Sequence, residues 1–424
     1  MTTLVVRPSS VSGKCTVPGS KSISHRALML GAMAKGTTRI EGLGLGADVE
    51  ATIDCLRAFG VEITPDGSTI TSPGIDAWIA PAAALDCRNS GTTMRILSGL
   101  AARCAFTTTL DGDDSLRKRP MERVASPLRS LGARVSTQDG RPPIVIDGGG
   151  LTGATIDLDV ASAQVKTAAI LAGLGASGTT VVREPVPSRD HTERMLRSLG
   201  APVEESFGET HDVTVSAFDV PPFETTVPGD VSSAAFVVAA ALLTGDVAID
   251  DVGVNPTRMS FVDVARQMGG EVALDVTRDE LGEPIGTLLA RRSSLVGVAV
   301  DGSDPGIQDE LPLIALLATQ AEGETVVKGA GELRVKESDR IDSVVRGLRT
   351  MGAEIHELVD GFVVRGPTSL RGATLDPAGD HRIAMMLAVA GLVAEGETRI
   401  DDFECSAVSW PGFERTLATL GADV

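Results

Sequence analysis

A short phrase recurs six times along this chain of 424 residues, and it constrains the fold more than any other feature. Each copy resembles LRSLGARV, the end of an apolar helix followed by a glycine and a run of alternating apolar residues. The glycines are Gly60, Gly132, Gly200, Gly269, Gly352 and Gly421, at spacings of 72, 68, 69, 83 and 69 residues. The pattern predicts a repeat of about seventy residues, with an insertion in the fifth. In each copy, a helix ends at a left-handed glycine and a strand follows.

Two more elements recur upstream of each glycine. One is a strand, such as GTTRIEG at 36–42 or GTTVVRE at 178–184, and the other is a helix rich in Ala and Leu that precedes it. A unit therefore alternates strand and helix as β-α-β-α-β, with a further strand such as 68–71. This order predicts an α/β fold.

A longer period divides the chain into two similar halves. The phrase TVPGS at 16–20 returns as TVPGD at 226–230, displaced by 210 residues or three units. We expect an N-terminal domain at 17–226 and a C-terminal domain formed by 1–16 with 227–424, with hinges near 17–19 and 227–229 at Pro-Gly pairs. A cleft that opens and closes would follow. One continuous solenoid fits less well, because a linear array does not need a doubled boundary phrase.

Composition argues against several classes of partner. Acidic residues number 57 against 38 basic ones, and the net charge of −19 would repel nucleic acid and anionic lipid. The longest nearly apolar run, 383–394, is too short to cross a bilayer, and MTTLVVRPSS does not resemble a secretory signal, so we expect a cytoplasmic protein. The five cysteines are scattered without any CxxC, which argues against disulfides and zinc.

Cations occur where helix starts are predicted. Capping explains the Ser, Asn and Asp residues at these starts, but the helix dipole disfavours positive charge there. The cations are Lys21, Arg26, Lys166, His381 and Arg382. Residues 1–40 also contain six basic residues and no acid. Bound anions would resolve the conflict, because backbone amides and basic side chains together bind phosphate and carboxylate. Chance placement on solvated faces is the alternative.

Two other stretches carry charged groups. Arg117, Lys118 and Arg119 are adjacent, and a surface position would account for them. In 334–340, pairs at three-residue helical spacing, Lys336 with Asp339 and Glu337 with Arg340, would form a self-neutralised helix face. Against this, Asp309 and Glu337 belong to one repeat and could supply an acid and a base among cations. The GxGxxG match at 173–178 follows a helix and precedes a strand, so it does not indicate a dinucleotide site.

Seven motifs together resemble the 5-enolpyruvylshikimate-3-phosphate synthase family of enolpyruvyl transferases. They are VPGSKSISHRALMLG, NSGTTMR, DSLRKRP, SAQVKTA, QDELPLIA, LRVKESDR and DHRIAM, and the resemblance runs from residue 7 to residue 424. The resemblance implies two inside-out α/β barrel-like domains, each of three βαβαββ repeats, six in total. It also implies transfer of the enolpyruvyl group of phosphoenolpyruvate to the 5-hydroxyl of shikimate 3-phosphate, through a tetrahedral adduct, with release of phosphate. This is a step of aromatic amino acid biosynthesis, and it needs no cofactor and no metal.

The resemblance also implies roles for residues. Those implied for shikimate 3-phosphate are Lys21, Ser22, Arg26, Ser162, Gln164, Asp309 and Lys336. Those implied for phosphoenolpyruvate are Lys21, Gly91, Arg119, Gln164, Arg340 and Arg382, with Asn89 shaping the pocket. Ala163, Arg189 and His381 are further substrate-binding residues that are not assigned to one substrate. Asp309 is the expected base toward the hydroxyl, and Glu337, helped by Lys21, is the expected proton donor to the methylene carbon. We expect a monomer that glyphosate inhibits, because Gly91 leaves room at the phosphoenolpyruvate site.

The chain departs from better-known members at three positions. Ala163 replaces a serine, Ser188 a tyrosine and Val408 a lysine, and Arg189 could compensate for the lost phosphate contact. A sister transferase acting on UDP-N-acetylglucosamine shares the fold, but it has a loop cysteine and a Lys-Asn pair where this chain has a cysteine-free loop at 111–120 and Lys21-Ser22. A two-lobed anion-binding protein would need the cations and a hinge, but not Asp309 and Glu337.

Overall fold

Helices and strands alternate in the order that the repeat predicts. The computed structural model describes residues 2–424. Its contacts divide the chain into two units. The N-terminal unit consists of Gly19–Val227 with Asp279–Glu283, and the C-terminal unit consists of the residues up to Pro18, Pro228–Arg278 and Pro284–Val424. Each unit has its own core of buried apolar side chains.

Two short strands precede the N-terminal unit, β1 (Leu4–Val6) and β2 (Ser12–Cys15). The N-terminal unit then contains α1 (Lys21–Met33), β3 (Lys35–Glu41), α2 (Ala47–Ala58), β4 (Glu62–Ile63), β5 (Thr69–Pro73), β6 (Leu85–Asp86), α3 (Gly91–Arg103), β7 (Thr107–Asp111), α4 (Glu122–Ser130), β8 (Arg134–Gln138), β9 (Arg141–Asp147), β10 (Thr155–Asp157), α5 (Ala163–Gly173), β11 (Thr179–Glu184), α6 (His191–Ser198), β12 (Val203–Phe207), β13 (His211–Ser216) and β14 (Glu224–Thr226).

The second half of the chain continues in the same order. Its elements are α7 (Val231–Thr244), β15 (Asp246–Gly253), α8 (Ser260–Gln267), β16 (Glu271–Glu280), β17 (Glu283–Arg291), β18 (Ala299–Asp301), α9 (Leu311–Thr319), β19 (Gly323–Lys328), α10 (Arg340–Thr350), β20 (Glu354–Leu358), β21 (Gly361–Gly366), β22 (Thr374–Leu375), α11 (His381–Gly391), β23 (Thr398–Ile400) and α12 (Phe413–Thr419). Short 3₁₀ helices occur at Ile75–Ala77, Leu116–Lys118, Pro256–Arg258, Gly331–Val335 and Phe403–Val408.

Each repeat forms one small sheet. The orders are β14-β3-β5-β4, β6-β7-β9-β8 and β10-β11-β13-β12 in the N-terminal unit, and β2-β15-β17-β16, β18-β19-β21-β20 and β22-β23-β1 in the C-terminal unit. Within the third sheet, β10 runs parallel to β11, and β13 runs antiparallel to it with Val182 opposite Val213. Strands β1 and β2 therefore complete the sixth and fourth sheets, and β14 completes the first.

The helix that opens each repeat lies in a core. In α7, every residue from Val231 to Leu242 is buried, and α11 is buried from His381 to Gly391. Helices that are apolar on all sides need protein on all sides. The buried helices and the surrounding small sheets confirm the predicted inside-out α/β fold with six repeats.

The six recurrent glycines have the conformation that their positions predict. Their φ angles are +86°, +100°, +88°, +91°, +95° and +100° in chain order. Each follows the second helix of its repeat, so the glycine ends the helix in the left-handed region and turns the chain into the next strand. Among residues 2–424, no helix is long and apolar enough to cross a membrane.

Much of the insertion falls in one hairpin of the fourth sheet, so the prediction of an insertion in the fifth repeat was wrong by one unit. Strands β16 and β17 have 10 and 9 residues, whereas β12 and β13 of the third repeat have 5 and 6. The tip, Asp279–Glu283, belongs to the N-terminal unit, where Glu283 Oε1 lies 2.8 Å from His191 Nδ1. The sequence pattern indicates the extra length but not this placement.

Candidate active site

The first turn of α1 presents a lysine to solvent. Ser20 caps the helix, and its side chain accepts a hydrogen bond from the Ile23 N–H. Lys21 Nζ lies 3.1 Å from Asp48 Oδ2, and its side chain is 25% exposed. Asp48 lies in the first turn of α2, where the helix dipole favours a carboxylate. Lys21 is thus held at a defined position and stays accessible.

Arg26 is fixed by two other helices of the N-terminal unit. It is 3% exposed, and its Nη1 donates to the Ser22 carbonyl at 2.8 Å. Its Nε donates to Thr192 Oγ1 at 2.8 Å, and its Nη2 donates to Thr167 Oγ1 at 3.0 Å. The two threonine hydroxyls also form a hydrogen bond at 2.6 Å. Arg26 therefore links α1, α5 and α6, and the guanidinium orientation is fixed before any ligand binds.

A second arginine, Arg119, contacts the side-chain amide of Asn89 just before the start of α3. Arg119 Nη2 donates to Asn89 Oδ1 at 2.6 Å, and Asn89 Nδ2 donates to Asp113 at 2.7 Å. A Cβ at Gly91 would lie 3.3 Å from Arg119 Nη1. Only glycine lets the guanidinium approach this closely without displacement. Arg117, in contrast, is 51% exposed and pairs with Asp111, so the predicted surface position is correct for that residue.

Gln164 links the starts of α3 and α5. Its Oε1 accepts from Arg95 Nη1 at 2.6 Å, and its Nε2 donates to Thr92 Oγ1 at 2.9 Å. Arg95 also lies beside Gly91, where an added Cβ would be 3.2 Å from Arg95 Nη1. Sequence reasoning missed Arg95, although it follows Gly91 by four residues and so shares its helix face.

The remaining predicted residues of the N-terminal unit lie at the start of α5 and before α6. Ser162 caps α5, and the Ala163 carbonyl accepts from Arg26 Nη2 at 3.5 Å. Arg189 is partly exposed in the loop before α6. The structure contradicts the expectation that a bound anion neutralises Lys166. Its side chain is fully buried, and Glu184 and Glu193 are its ion-pair partners at 2.6 Å and 2.8 Å.

In the C-terminal unit, one buried arginine gathers three carboxylates. Arg340 is 1% exposed, with Nε 2.8 Å from Asp380, Nη1 3.2 Å from Asp309 and Nη2 2.6 Å from Glu337. Burial lowers the pKa of Arg340, but the charges of Asp380, Glu337 and Asp309 outweigh it and raise the pKa well above its usual range. Burial likewise raises the pKa of Asp380, and the charges of Arg340 and His381 outweigh it, so this pKa is lowered. Arg340 therefore stays a cation, and it orients Asp309 and Glu337.

Asp309 is surrounded by three cations. Besides Arg340, Arg382 Nη2 lies 3.6 Å and Lys336 Nζ 3.9 Å from its carboxylate. The Asp309 side chain is 16% exposed and that of Glu337 is 27% exposed. Both carboxylates are thus accessible to a ligand, and each is held in place by an arginine.

Arg382 has a second acidic neighbour that the sequence did not indicate. Its Nη1 lies 3.6 Å from Glu310 Oε1, and Glu310 lies 3.7 Å from Arg258. Ser232 Oγ, from the first turn of α7, hydrogen-bonds to both Glu310 and Arg258. Arg382 is the second residue of α11, after the Asp380 cap and the buried His381, and these contacts hold its side chain in place.

The segment 334–340 is not the helix face that was the alternative prediction. Helix α10 begins at Arg340, with Asp339 as its N-cap accepting from the Asp342 N–H. The Asp339 carboxylate also accepts from Arg334 at 2.8 Å, whereas Lys336 lies near Asp309. The predicted Glu337–Arg340 pair does form. The capping requirement of α10, rather than helical spacing, decides which side chains meet.

The predicted site residues thus fall into two clusters, one in each unit. The N-terminal cluster consists of Lys21, Ser22, Arg26, Asn89, Gly91, Arg119, Ser162, Ala163, Gln164 and Arg189. The C-terminal cluster consists of Asp309, Lys336, Glu337, Arg340, His381 and Arg382. Helix starts carry most of both sets.

Comparison with known proteins decides the family. The family model described as EPSP synthase (3-phosphoshikimate 1-carboxyvinyltransferase) matches residues 5–417. The chain belongs to the EPSP synthase family. A relative from Geobacter sp. (strain M21), named 3-phosphoshikimate 1-carboxyvinyltransferase, is 48% identical over 98% of this chain and 99% of the relative. One of the same name from Geobacillus kaustophilus is 47% identical over 97% and 98%.

Experimental structures agree with membership of the EPSP synthase family. An EPSP synthase from Acinetobacter baumannii matches with a TM-score of 0.88 and 41% identity, covering 99% of this chain and 98% of that one. The enolpyruvyl transferase NikO from Streptomyces tendae matches with a TM-score of 0.77 and 22% identity over 99% and 98%, a likeness of fold alone. The sister transferase and the anion-binding protein are thereby set aside as explanations of this chain.

Proposed function

We propose that the two clusters serve a single reaction, the transfer of the enolpyruvyl group of phosphoenolpyruvate to shikimate 3-phosphate. As a member of the EPSP synthase family, the chain is a transferase of the shikimate pathway, which leads to aromatic amino acids. The observation that supports the residue assignment is the position of Asp309 between Arg340, Arg382 and Lys336. A carboxylate held among cations, with Glu337 on the same arginine, suits acid and base chemistry on anionic substrates.

Each cluster has a share in binding. Arg26, Arg189, Lys21, Ser22 and the α5 start, from Ser162 to Gln164, hold shikimate 3-phosphate, together with Asp309 and Lys336. Guanidinium groups and helix-start amides are suited to phosphate, and Arg26 is already oriented. Phosphoenolpyruvate is bound by Lys21, Gly91, Arg119, Gln164, Arg340 and Arg382, with Asn89 positioning Arg119 and His381 beside Arg382.

The chemistry follows from these positions. Glu337, helped by Lys21, donates a proton to the methylene carbon of phosphoenolpyruvate, and the adjacent carbon becomes cationic. Asp309 accepts the proton of the 5-hydroxyl, whose oxygen then bonds to that carbon and forms the tetrahedral adduct. Glu337 then takes back a methyl proton as the C–O bond to phosphate breaks, which gives the enolpyruvyl ether, and the phosphate leaves with the proton held by Asp309. Preoriented cations stabilise the charge on the leaving phosphate.

The test is phosphate release from the purified chain incubated with both substrates. Asp309→Asn and Glu337→Gln are each expected to lower kcat by about 10²- to 10⁴-fold, since each removes a proton-transfer group. Lys21→Ala and Arg26→Ala are expected to lower turnover because each removes a group that binds substrate. Asp212→Asn, which alters an exposed pair with Arg183, is the matched control and should act like wild type. Wild-type turnover in Asp309→Asn and Glu337→Gln would contradict their assigned roles.

We also propose a cellular location and an oligomeric state. The negative charge argues against nucleic acid as a partner, and we expect a cytoplasmic monomer. The five cysteines are free thiols, as expected in a reducing compartment. Light scattering should give the mass of one chain, and cell fractionation should place the protein with cytoplasmic markers. A dimer mass or a membrane fraction would contradict this.

A further inference from the structure

A fully buried lysine of the N-terminal unit has no part in the reaction described above. Lys166 lies in the first turn of α5, two residues after Gln164, and its side chain is 0% exposed. Glu184 and Glu193, both also 0% exposed, are its ion-pair partners. A buried ion pair is weak evidence for stability, because desolvation offsets much of the attraction. Its placement therefore calls for another explanation.

The contacts of these charges converge on one residue, Ser188. Ser188 donates its N–H to Glu184 Oε1 at 2.8 Å and its hydroxyl to Glu184 Oε2 at 2.6 Å. Lys166 Nζ donates to the Ser188 carbonyl at 3.2 Å. The residue before Arg189 is thus held at its N–H, its side chain and its C=O. Ser188 is buried, so its hydroxyl serves Glu184 rather than a ligand.

The same lysine also holds the chain on the other side of Arg189. Glu193 lies in the first turn of α6, four residues after Arg189, and its Oε1 is 2.8 Å from Lys166 Nζ. Between them, Thr192 accepts from Arg26 and contacts Thr167 of α5. Two residues flanking Arg189 are therefore tied to the helix that carries Ser162 and Gln164.

Lys166 and Glu184 keep their charges at neutral pH. Burial lowers the pKa of Lys166, but the charges of Glu193 and Glu184 outweigh it and the pKa is raised. Burial raises the pKa of Glu184, but the charge of Lys166 and the hydrogen bonds from Lys166 and Ser188 outweigh this effect, so the pKa is lowered overall. An ion cluster that stays charged is a rigid clamp, whereas neutral groups would hold the loop more weakly.

We infer that Lys166 and Glu184, with Glu193, are positioning residues that set the direction of Arg189 relative to the α5 start. The ligand they serve is the phosphate of shikimate 3-phosphate, and the inference in this respect rests on the proposed function. Arg189 extends from a loop, and a long side chain on an unrestrained loop would lose more conformational entropy on binding. The clamp removes part of that loss in advance.

A double-mutant cycle tests this through binding rather than through turnover. Glu184→Gln keeps the shape of the side chain but removes its charge, and we expect it to weaken binding of shikimate 3-phosphate about tenfold, as measured by titration calorimetry. Arg189→Ala should weaken it at least as much. Because Glu184 acts through Arg189, the double variant should bind no more weakly than Arg189→Ala alone. Glu193→Gln is the second variant and should behave like Glu184→Gln.

Two controls separate positioning from loss of structure. Glu204→Gln changes an exposed carboxylate of β12 outside the ion cluster, and it should bind like wild type. Leu171→Ala in α5 lowers stability without touching the clamp, and below its melting temperature it should also bind normally. Additive losses in the cycle, or wild-type affinity in folded Glu184→Gln and Glu193→Gln, would overturn the inference. Failure of wild type to release phosphate from the two substrates would instead count against the proposed function.

Discussion

At the scale of single residues, the site depends on side chains fixed before ligands bind. Arg26, Arg340 and Arg382 each contact two or more groups of their own unit. A guanidinium offers five donors in a fixed plane, so internal contacts on one edge can leave the other edge oriented toward a ligand. Lysine could not replace these arginines, because its single ammonium group has no comparable plane.

Gly91 allows a prediction about the phosphoenolpyruvate site. In Gly91→Ala, the new Cβ would lie 3.2 Å from Arg95 Nη1 and 3.3 Å from Arg119 Nη1, so both guanidinium tips must shift. The backbone is not strained, and the chain should fold. We expect KM for phosphoenolpyruvate to rise about tenfold, the scale of one added methyl group in a pocket. KM for shikimate 3-phosphate should change much less.

Glyphosate provides the second measurement on this variant. Glyphosate should inhibit wild type, and inhibition of Gly91→Ala to the same extent should need a correspondingly higher glyphosate concentration. Gly208→Ala, in the turn between β12 and β13, is the matched control and should leave both values unchanged. Unaltered phosphoenolpyruvate kinetics in Gly91→Ala would show that neither arginine needs its present position.

The side-chain contacts that the sequence predicts correctly are those with local signals. The Glu337–Arg340 pair lies within one turn of chain, and Ser20 and Asp380 follow capping rules. Lys166 was assigned to a bound anion because its partners are distant in sequence. Glu184 and Glu193 come from the strand and helix that follow α5, and no local spacing indicates that they turn inward. Glu310 and Arg258 were missed for the same reason, whereas Arg95 had a local signal in its four-residue spacing from Gly91.

At the scale of helices and strands, prediction succeeded because each rule acts within a few residues. The Gly caps, the alternating strands and the apolar first helices all appear where the repeat places them. Strand partners from outside a repeat are different. That β14 would pair with β3, and that Asp279–Glu283 would join the N-terminal unit, depends on tertiary packing.

The glycine caps give a stability prediction. Gly200 has a φ of +88° and open space where a Cβ would go, so Gly200→Ala tests backbone conformation alone. Since a left-handed alanine is strained, we expect a loss of about 1 kcal/mol in the free energy of unfolding. Gly208 also has open space, but its φ lies outside the left-handed region. Gly208→Ala should therefore be neutral or slightly stabilising in the same urea titration. Equal effects of the two substitutions would contradict the cap assignment.

At the scale of the whole molecule, the chain has two hydrophobic cores rather than one. The cores share no residue, and the units meet in sequence at Pro18–Gly19 and Val227–Pro228. We propose that the domains are 17–226 and 1–16 with 227–424, with hinges near 17–19 and 227–229. Pro-Gly pairs at both boundaries support hinges there, since they interrupt regular structure.

Separate cores predict separate unfolding. Leu171 in α5 is 1% exposed and Leu316 in α9 is 0% exposed, and truncating a buried leucine to alanine costs about 2–5 kcal/mol. If each domain unfolds as its own cooperative unit, calorimetry should resolve two transitions. Leu171→Ala should lower the melting temperature of one transition and Leu316→Ala that of the other. If one domain binds shikimate 3-phosphate by itself, adding this substrate should raise the melting temperature of that domain's transition. A single transition that both variants shift equally would mean that the two cores unfold as one, and the proposed boundaries would then mark repeats rather than domains.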